Sequence, residues 1–266
     1  MIIIEPAALS GQIAYPLVAP FPAITANAGG GAVNLASYDP REIWSLPQGQ
    51  TANIYIDFGS MTQWDTLILV NVRGGGAATW QVKFGSAASA NNYNEAALTA
   101  VGPMLLATED GLAAGVALAR AGAPISSRYV LISVTQPAGA GPLSVGAVCI
   151  GMGYAPGYGR EPGAGRPSLD SGARERLPDG GLATVSGALI SGFKWVYGDL
   201  SESDLAKLWG IWRRRRTTEP IVVVEDISAP VAEGVHYGTF LSLDAYERSL
   251  VSKSRWVMSM EDWVGG

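Results

Sequence analysis

The chain has 266 residues, a formal net charge of −5 and only 15% charged residues. That balance excludes an overall basic field that would attract nucleic acid. With 34 Gly and 16 Pro, the composition favours many short strands joined by tight turns over a helical bundle.

In chain order, the first fifty residues scatter apolar side chains among Pro, Gly and Asn, which predicts short, irregular strands. The opening MIIIEPAALSGQ has an apolar run too short for a signal peptide and no basic residue before it. No stretch approaches the ~20 apolar residues of a membrane-spanning helix. Residues 52–58 alternate: Ala52, Ile54, Ile56 and Phe58 share one face of a strand that Gly59 is expected to stop. Residues 64–72 are apolar on both faces and predict a central strand. Arg73 then leads into the triple glycine 74–76, and residues 79–84 predict a third strand.

Residues 85–128 are low in complexity, with an Asn cluster around Tyr93. Strands are predicted at 128–135 and 143–152. The stretch 156–181 is rich in Gly, Pro and Arg and reads as a linker or a long surface excursion. It separates a first domain, 1–155, from a second, 182–266.

In that second part strands are predicted at 183–190, 192–197, 221–224, 236–243 and 254–260. The one clear helix begins at Ser201, which stands at capping spacing from Asp204. Leu205, Leu208, Trp209 and Trp212 fall on one helical stripe, expected to be this domain's own core. Arg213, Arg214, Arg215 and Arg216 follow at the C-terminal end, where cations are favoured. In an acidic chain that run reads as a solvated helix end or an anchor for acidic partners in an assembly, rather than a nucleic-acid site.

Reactive groups are few. The single cysteine, Cys149, lies in an apolar run, excludes a disulfide within the chain and is expected to be buried. His236 is the only histidine, so a multi-histidine metal site is excluded. There is no nucleophile elbow and no phosphate-binding loop. The pairs Glu109 and Asp110, Glu225 and Asp226, and Glu261 and Asp262 are sequence neighbours. Neighbours in a strand point to opposite faces, so none is a ready acid–base pair. The expectation is a non-enzymatic protein without catalytic residues, metal site or cofactor. Loop Asp and Asn residues leave a structural calcium open, although no EF-hand spacing exists.

Aromatic and polar residues near turns are the better candidates for function. Tyr38 and Trp44 flank Asp39 and Arg41, Arg73 precedes the triple glycine, and Asn92 and Tyr93 lie in the Asn cluster. Together these seven predict a loop rim on which an aromatic face meets the apolar side of a sugar ring while polar groups meet its hydroxyls. For each aromatic taken alone, the competing reading is core or surface packing.

The run Ile54-Tyr55-Ile56-Asp57-Phe58-Gly59, the strand from Trp64 to Asn71, and the Arg128-Tyr129 pair that opens an apolar run resemble the discoidin branch of galactose-binding-like domains. The resemblance covers about residues 20–155. It implies a jelly-roll sandwich whose loops at one end contact glycans, lipids or proteins, here without the cysteines that tie the ends of the secreted members. The order of elements in residues 192–263 resembles tail-tip or baseplate proteins of tailed phages and of phage-like gene transfer particles.

The expected fold class is therefore mainly β: an N-terminal jelly-roll sandwich followed by a smaller α+β domain with one helix. The resemblances imply a virion tail-tip, baseplate or spike protein, released with the particle rather than exported. Its implied partners are other tail proteins, further copies of itself and host-surface polysaccharide, with no nucleic acid and no membrane span. Two alternatives stand beside it: a purely structural tail adaptor that binds no ligand, and a polysaccharide-degrading tail enzyme.

Overall fold

The structure is a computed structural model and describes residues 1–6, 24–74, 78–85, 99–105, 115–157, 160–225, 234–243, 245–250 and 252–263. It is mainly β, with one α-helix among the described residues. Contacts divide the chain into two compact units, one comprising Ile2–Tyr154 and Val224–Val235, the other Met1, Ala155–Val223 and His236–Gly266.

The N-terminal unit holds nine strands: β1 (Ile2–Pro6), β2 (Ile24–Ala26), β3 (Trp44–Leu46), β4 (Thr51–Val72), β5 (Thr79–Gly85), β6 (Thr99–Leu105), β7 (Gly115–Thr135), β8 (Leu143–Val145) and β9 (Ala147–Tyr154). Within it, neighbouring strands run in the order β1-β9-β4-β7-β5-β6, and β2 adds to β4. A separate two-stranded ribbon, β3–β8, completes the sandwich. Trp44 and Leu46 of β3 and Leu143 and Val145 of β8 share one buried core with Ile54, Ile56, Leu67, Leu69, Trp80 and Val82 of the larger sheet. Closing one core between two layers is what lets short apolar strands persist in water.

The residues predicted as two strands are one, because Gly59 bends β4 rather than ending it. Gly59 sits at φ 76°, open to Gly at no steric cost, and the β4–β7 register breaks between Asp57 and Thr62. Its N–H donates to Asp57 Oδ1 at 2.7 Å. The second half, Trp64 to Val72, is buried on both faces and pairs with β7 on one edge and β9 on the other. The low-complexity stretch holds the first half of β7, where Ala117 and Ala119 are buried against β4. At its other end, Gly146 divides the single strand predicted at 143–152 into β8 and β9. Cys149 on β9 is buried.

The two segments that carry the discoidin resemblance touch. Arg128 Nε and Nη2 donate to Asp57 Oδ1 at 2.8 Å and Oδ2 at 3.0 Å, a two-pronged pair. Burial pushes the Asp57 carboxyl up, but Arg128 and the Gly59 N–H outweigh it and hold the group below the usual carboxylate range. A folded-state pKa below the unfolded one adds stability that is present above the unfolded value. That stability is lost as pH falls through the folded value. Asp57→Asn is therefore expected to lower Tm near neutral pH and to converge with the wild type in acid, below about pH 4. Parallel Tm curves across that range would contradict this.

The C-terminal unit holds β10 (Ser168–Asp170), β11 (Ala173–Arg176), β12 (Leu182–Val185), β13 (Leu189–Leu200), α1 (Glu202–Arg215), β14 (Ile221–Val224), β15 (Val235–Leu243), β16 (Glu247–Leu250) and β17 (Lys253–Asp262). Its strands run in the order β10-β13-β17-β15-β14, and β16 pairs with β17. Phe193, Trp195, Tyr197, Trp256, Met258 and Met260 are buried. Ser201 caps α1: its Oγ accepts from Asp204 N–H at 3.1 Å and donates to Asp204 Oδ2 at 2.7 Å.

The stretch expected as a linker or a long surface excursion carries β10 and β11. These form one side of a hairpin arm, with β12 and the start of β13 on the other. At the base of the arm, Ser171 N–H and Oγ both bond Ala188 O at 3.0 Å. Gly172 and Gly187 then come so close that a Cβ on Gly187 would stand 2.0 Å from Gly172 N. Every side chain of β11 is exposed.

Candidate functional site

The predicted rim residues sit on loops whose geometry is set by two buried amides. Asn71 ends β4 with φ 54°, an αL conformation Asn tolerates better than most residues. Its Nδ2 donates to Pro40 O at 2.6 Å, and its Oδ1 accepts from Arg73 Nε at 3.0 Å. Asn71 thus ties the loop that carries Tyr38, Asp39 and Arg41 to Arg73. The main chain of Arg73 exchanges two hydrogen bonds with Ser144, each 2.9 Å. The second amide, Gln136, follows β7 and is fully buried. Its Nε2 donates to Gly74 O at 3.0 Å and to Gly141 O at 2.7 Å. Gly146 completes the support: a Cβ there would stand 2.0 Å from Pro40 O and 2.9 Å from Asn71 Cβ.

On this frame Asp39 and Arg41 form a local unit. Asp39 Oδ1 accepts from Arg41 N–H at 3.0 Å and from Arg41 Nε at 2.9 Å, while Nη2 reaches Oδ2 at 2.6 Å. Hydrogen bonding to Arg41 holds the Asp39 carboxyl below its ordinary range, and the same contact raises the Arg41 guanidinium. The Arg41 side chain is 79% exposed. Arg73 is also exposed, and Tyr38 is half-buried. The rim therefore offers two guanidinium groups that donate to hydroxyl or carboxylate oxygens, an ionised carboxylate that accepts from hydroxyls, and a phenol that does either.

Trp44 does not belong to the rim. It is fully buried, with Nε1 donating to Ala28 O at 3.3 Å, so its ring is part of the core and no face is free for a sugar. Asn92 and Tyr93 lie outside the described residues. Asn71 and Gln136 are the organisers that the rim prediction missed. Asn71 was visible only as the polar end of an apolar strand, and nothing in the sequence around Gln136 singles it out.

In the C-terminal unit the arginine run divides. Arg213, Arg214 and Arg216 are exposed. Arg215 is 8% exposed and donates Nη1 to Glu219 Oε2 at 3.0 Å, so it faces inward and not toward a partner. The aromatic stripe also differs from the expected core: the buried face of α1 is Leu208, Ile211 and Arg215, while Trp209 is 37% exposed. His236 is buried, with Nδ1 3.2 Å from Asp262 Oδ2, and stacks on Phe193 at 4.6 Å. Among the described residues no group of three His, Cys, Asp or Glu is placed to hold a metal ion. No helix among them is long and apolar enough to cross a membrane.

No family model matches the chain, and no curated protein matches it. Among solved structures, the chain is similar to chitosan-binding module 1 of a Paenibacillus chitosanase/glucanase, at 18% identity and TM-score 0.40, covering 56% of this chain and 98% of the module. It is similar to a family-32 carbohydrate-binding module of AlyQ, at 22% identity and TM-score 0.37, covering 51% of this chain and 95% of that one. A Ruminococcus gnavus family-29 fucosidase aligns at 14% identity and TM-score 0.38 over 50% of this chain, and the chain spans only 25% of the fucosidase.

Proposed function

We propose that this chain is a non-enzymatic binding protein whose N-terminal unit contacts carbohydrate through the rim of Tyr38, Asp39, Arg41 and Arg73. The observation that carries this reading is the Asn71 amide, which fastens the Pro40 loop and Arg73 to each other from a buried position. A rim held in place before the ligand arrives loses less conformational freedom on binding. Exposed guanidinium groups beside an ionised carboxylate and a phenol suit the alternating donors and acceptors of sugar hydroxyls. Contact rather than catalysis fits the scarcity of paired reactive groups around them.

Arg41→Ala with Arg73→Ala is expected to weaken binding to the best-bound glycan of an array at least tenfold by calorimetry, and to lower Tm by only a few degrees through the lost hydrogen bond to Asn71. Undiminished affinity in the double variant would remove the rim from the binding surface. No affinity of the wild type for any glycan would favour the structural adaptor.

The finer setting we propose is the tail tip or baseplate of a phage-like particle, supported by the order of helix and strands over residues 192–263. Mass spectrometry of purified particles from the source organism should contain the chain in fixed ratio to tail proteins, and its absence there would end this reading.

A further inference from the structure

The exposed side of α1 in the C-terminal unit has no role in the rim described above. Trp209 is 37% exposed and Tyr246 39% exposed, two of the largest apolar side chains on the described surface. Both rest on the fully buried Trp256, with ring centroids 5.9 Å and 6.1 Å away. Trp212 stacks against Trp209 at 5.3 Å with 27° between planes. Trp209 and Tyr246 stand at 79° to each other, centroids 6.5 Å apart. The result is an aromatic corner resting on a buried ring.

Cations border that corner. Arg213 lies four residues after Trp209 and so on the same helical face, and Arg216 follows at the cap with φ 52°. Both are exposed, and neither has an acidic partner among the described residues. Arg214 folds its guanidinium back over Gly210, where a Cβ would stand 3.3 Å from Nη1. Glu202, in the first turn of α1, stands 4.0 Å from Arg248, and the exposed Glu247 follows Tyr246. Arg213 and Arg216 thus present two exposed cations at the end of α1 in a chain whose net charge is −5.

We propose that this corner is a second binding site, specific for a carboxylate-bearing polysaccharide such as a polyuronate. Aromatic faces carry negative charge density and attract the slightly positive C–H face of a pyranose. A planar guanidinium takes a carboxylate in two parallel hydrogen bonds. A uronic acid residue presents both features on one ring, which a neutral sugar does not. An acidic peptide would satisfy the arginines and leave the aromatic corner without a matching surface.

The test uses the full chain with three probes: an oligogalacturonate, a neutral malto-oligosaccharide of equal length and a poly-glutamate peptide. Tryptophan fluorescence and calorimetry are expected to show oligogalacturonate bound at least tenfold more tightly than either other probe. Trp209→Ala and, separately, Arg213→Gln with Arg216→Gln should each weaken it at least tenfold. The Arg41→Ala, Arg73→Ala double variant should bind it as the wild type does, which separates this site from the rim. Should Trp209→Ala fail to fold, the arginine pair carries the test, since both positions are solvent-exposed. Poly-glutamate binding as tightly as the uronate, wild-type affinity in the α1 variants, or no uronate binding would each overturn the proposal.

Discussion

Trp44→Ala is expected to lower the stability of the N-terminal unit by about 3–5 kcal/mol, the usual consequence of removing a large buried aromatic. The ring is fully enclosed, in the β3–β8 layer that closes the sandwich. It leans against Gly29, where a Cβ would stand 2.7 Å from Trp44 Nε1, so the backbone is moulded to it and has little means of collapsing into the space left behind. For a unit of this size, such a loss lowers Tm by on the order of 10 °C. Thermal unfolding followed by near-ultraviolet dichroism measures it, and Trp44→Phe should recover part of the loss. The same experiment distinguishes core from rim. A variant with unchanged Tm and abolished glycan binding would mean that the ring serves ligand and not packing.

Gly146→Ala is the second large effect, and it acts on the site through the scaffold. The new methyl would meet the Pro40 carbonyl oxygen at 2.0 Å and Asn71 Cβ at 2.9 Å. Main-chain atoms cannot rotate aside as a side chain would. The Gly146 N–H is itself fixed to Val70 O at 2.9 Å, so the Pro40 loop is the element that must yield. Overpacking of this kind costs about 1–3 kcal/mol, and a buried amide stripped of its acceptor costs a similar amount. We expect a loss of about 2–4 kcal/mol, faster hydrogen exchange across residues 37–43 and weaker glycan binding. Full stability with full affinity would show that the loop is not held by this contact.

The contrast between these residues shows how far the sequence could be read. Alternation at Ala52, Ile54, Ile56 and Phe58 was legible because burial on one face of a strand repeats every second residue. The cap of α1 was legible because Ser201 and Asp204 interact within one turn. What was not legible depends on partners distant in sequence. Trp44 looked like a loop aromatic until β8 covered it. Arg215 looked like its three neighbours until helical rotation carried it inward to Glu219. The first half of β7 has few large side chains, and it is a strand because β4 pairs with it, a case of context overriding weak propensity. Within the rim, Asp39, Arg41 and Arg73 were identifiable by type and position. The amides that fasten them were not, since a buried Asn or Gln has no sequence signature of its own.

The hairpin arm has a practical implication for anyone altering this protein. Its far end, residues 177–181, is closed by Leu177 N–H to Gly181 O at 2.9 Å and by Gly180 at φ 85°. Leu177 and Leu182 beside it are exposed at 42% and 58%. Length at such a tip can change with no core to repack. The tip of the arm is therefore the natural place to graft a tag, a label or a foreign epitope.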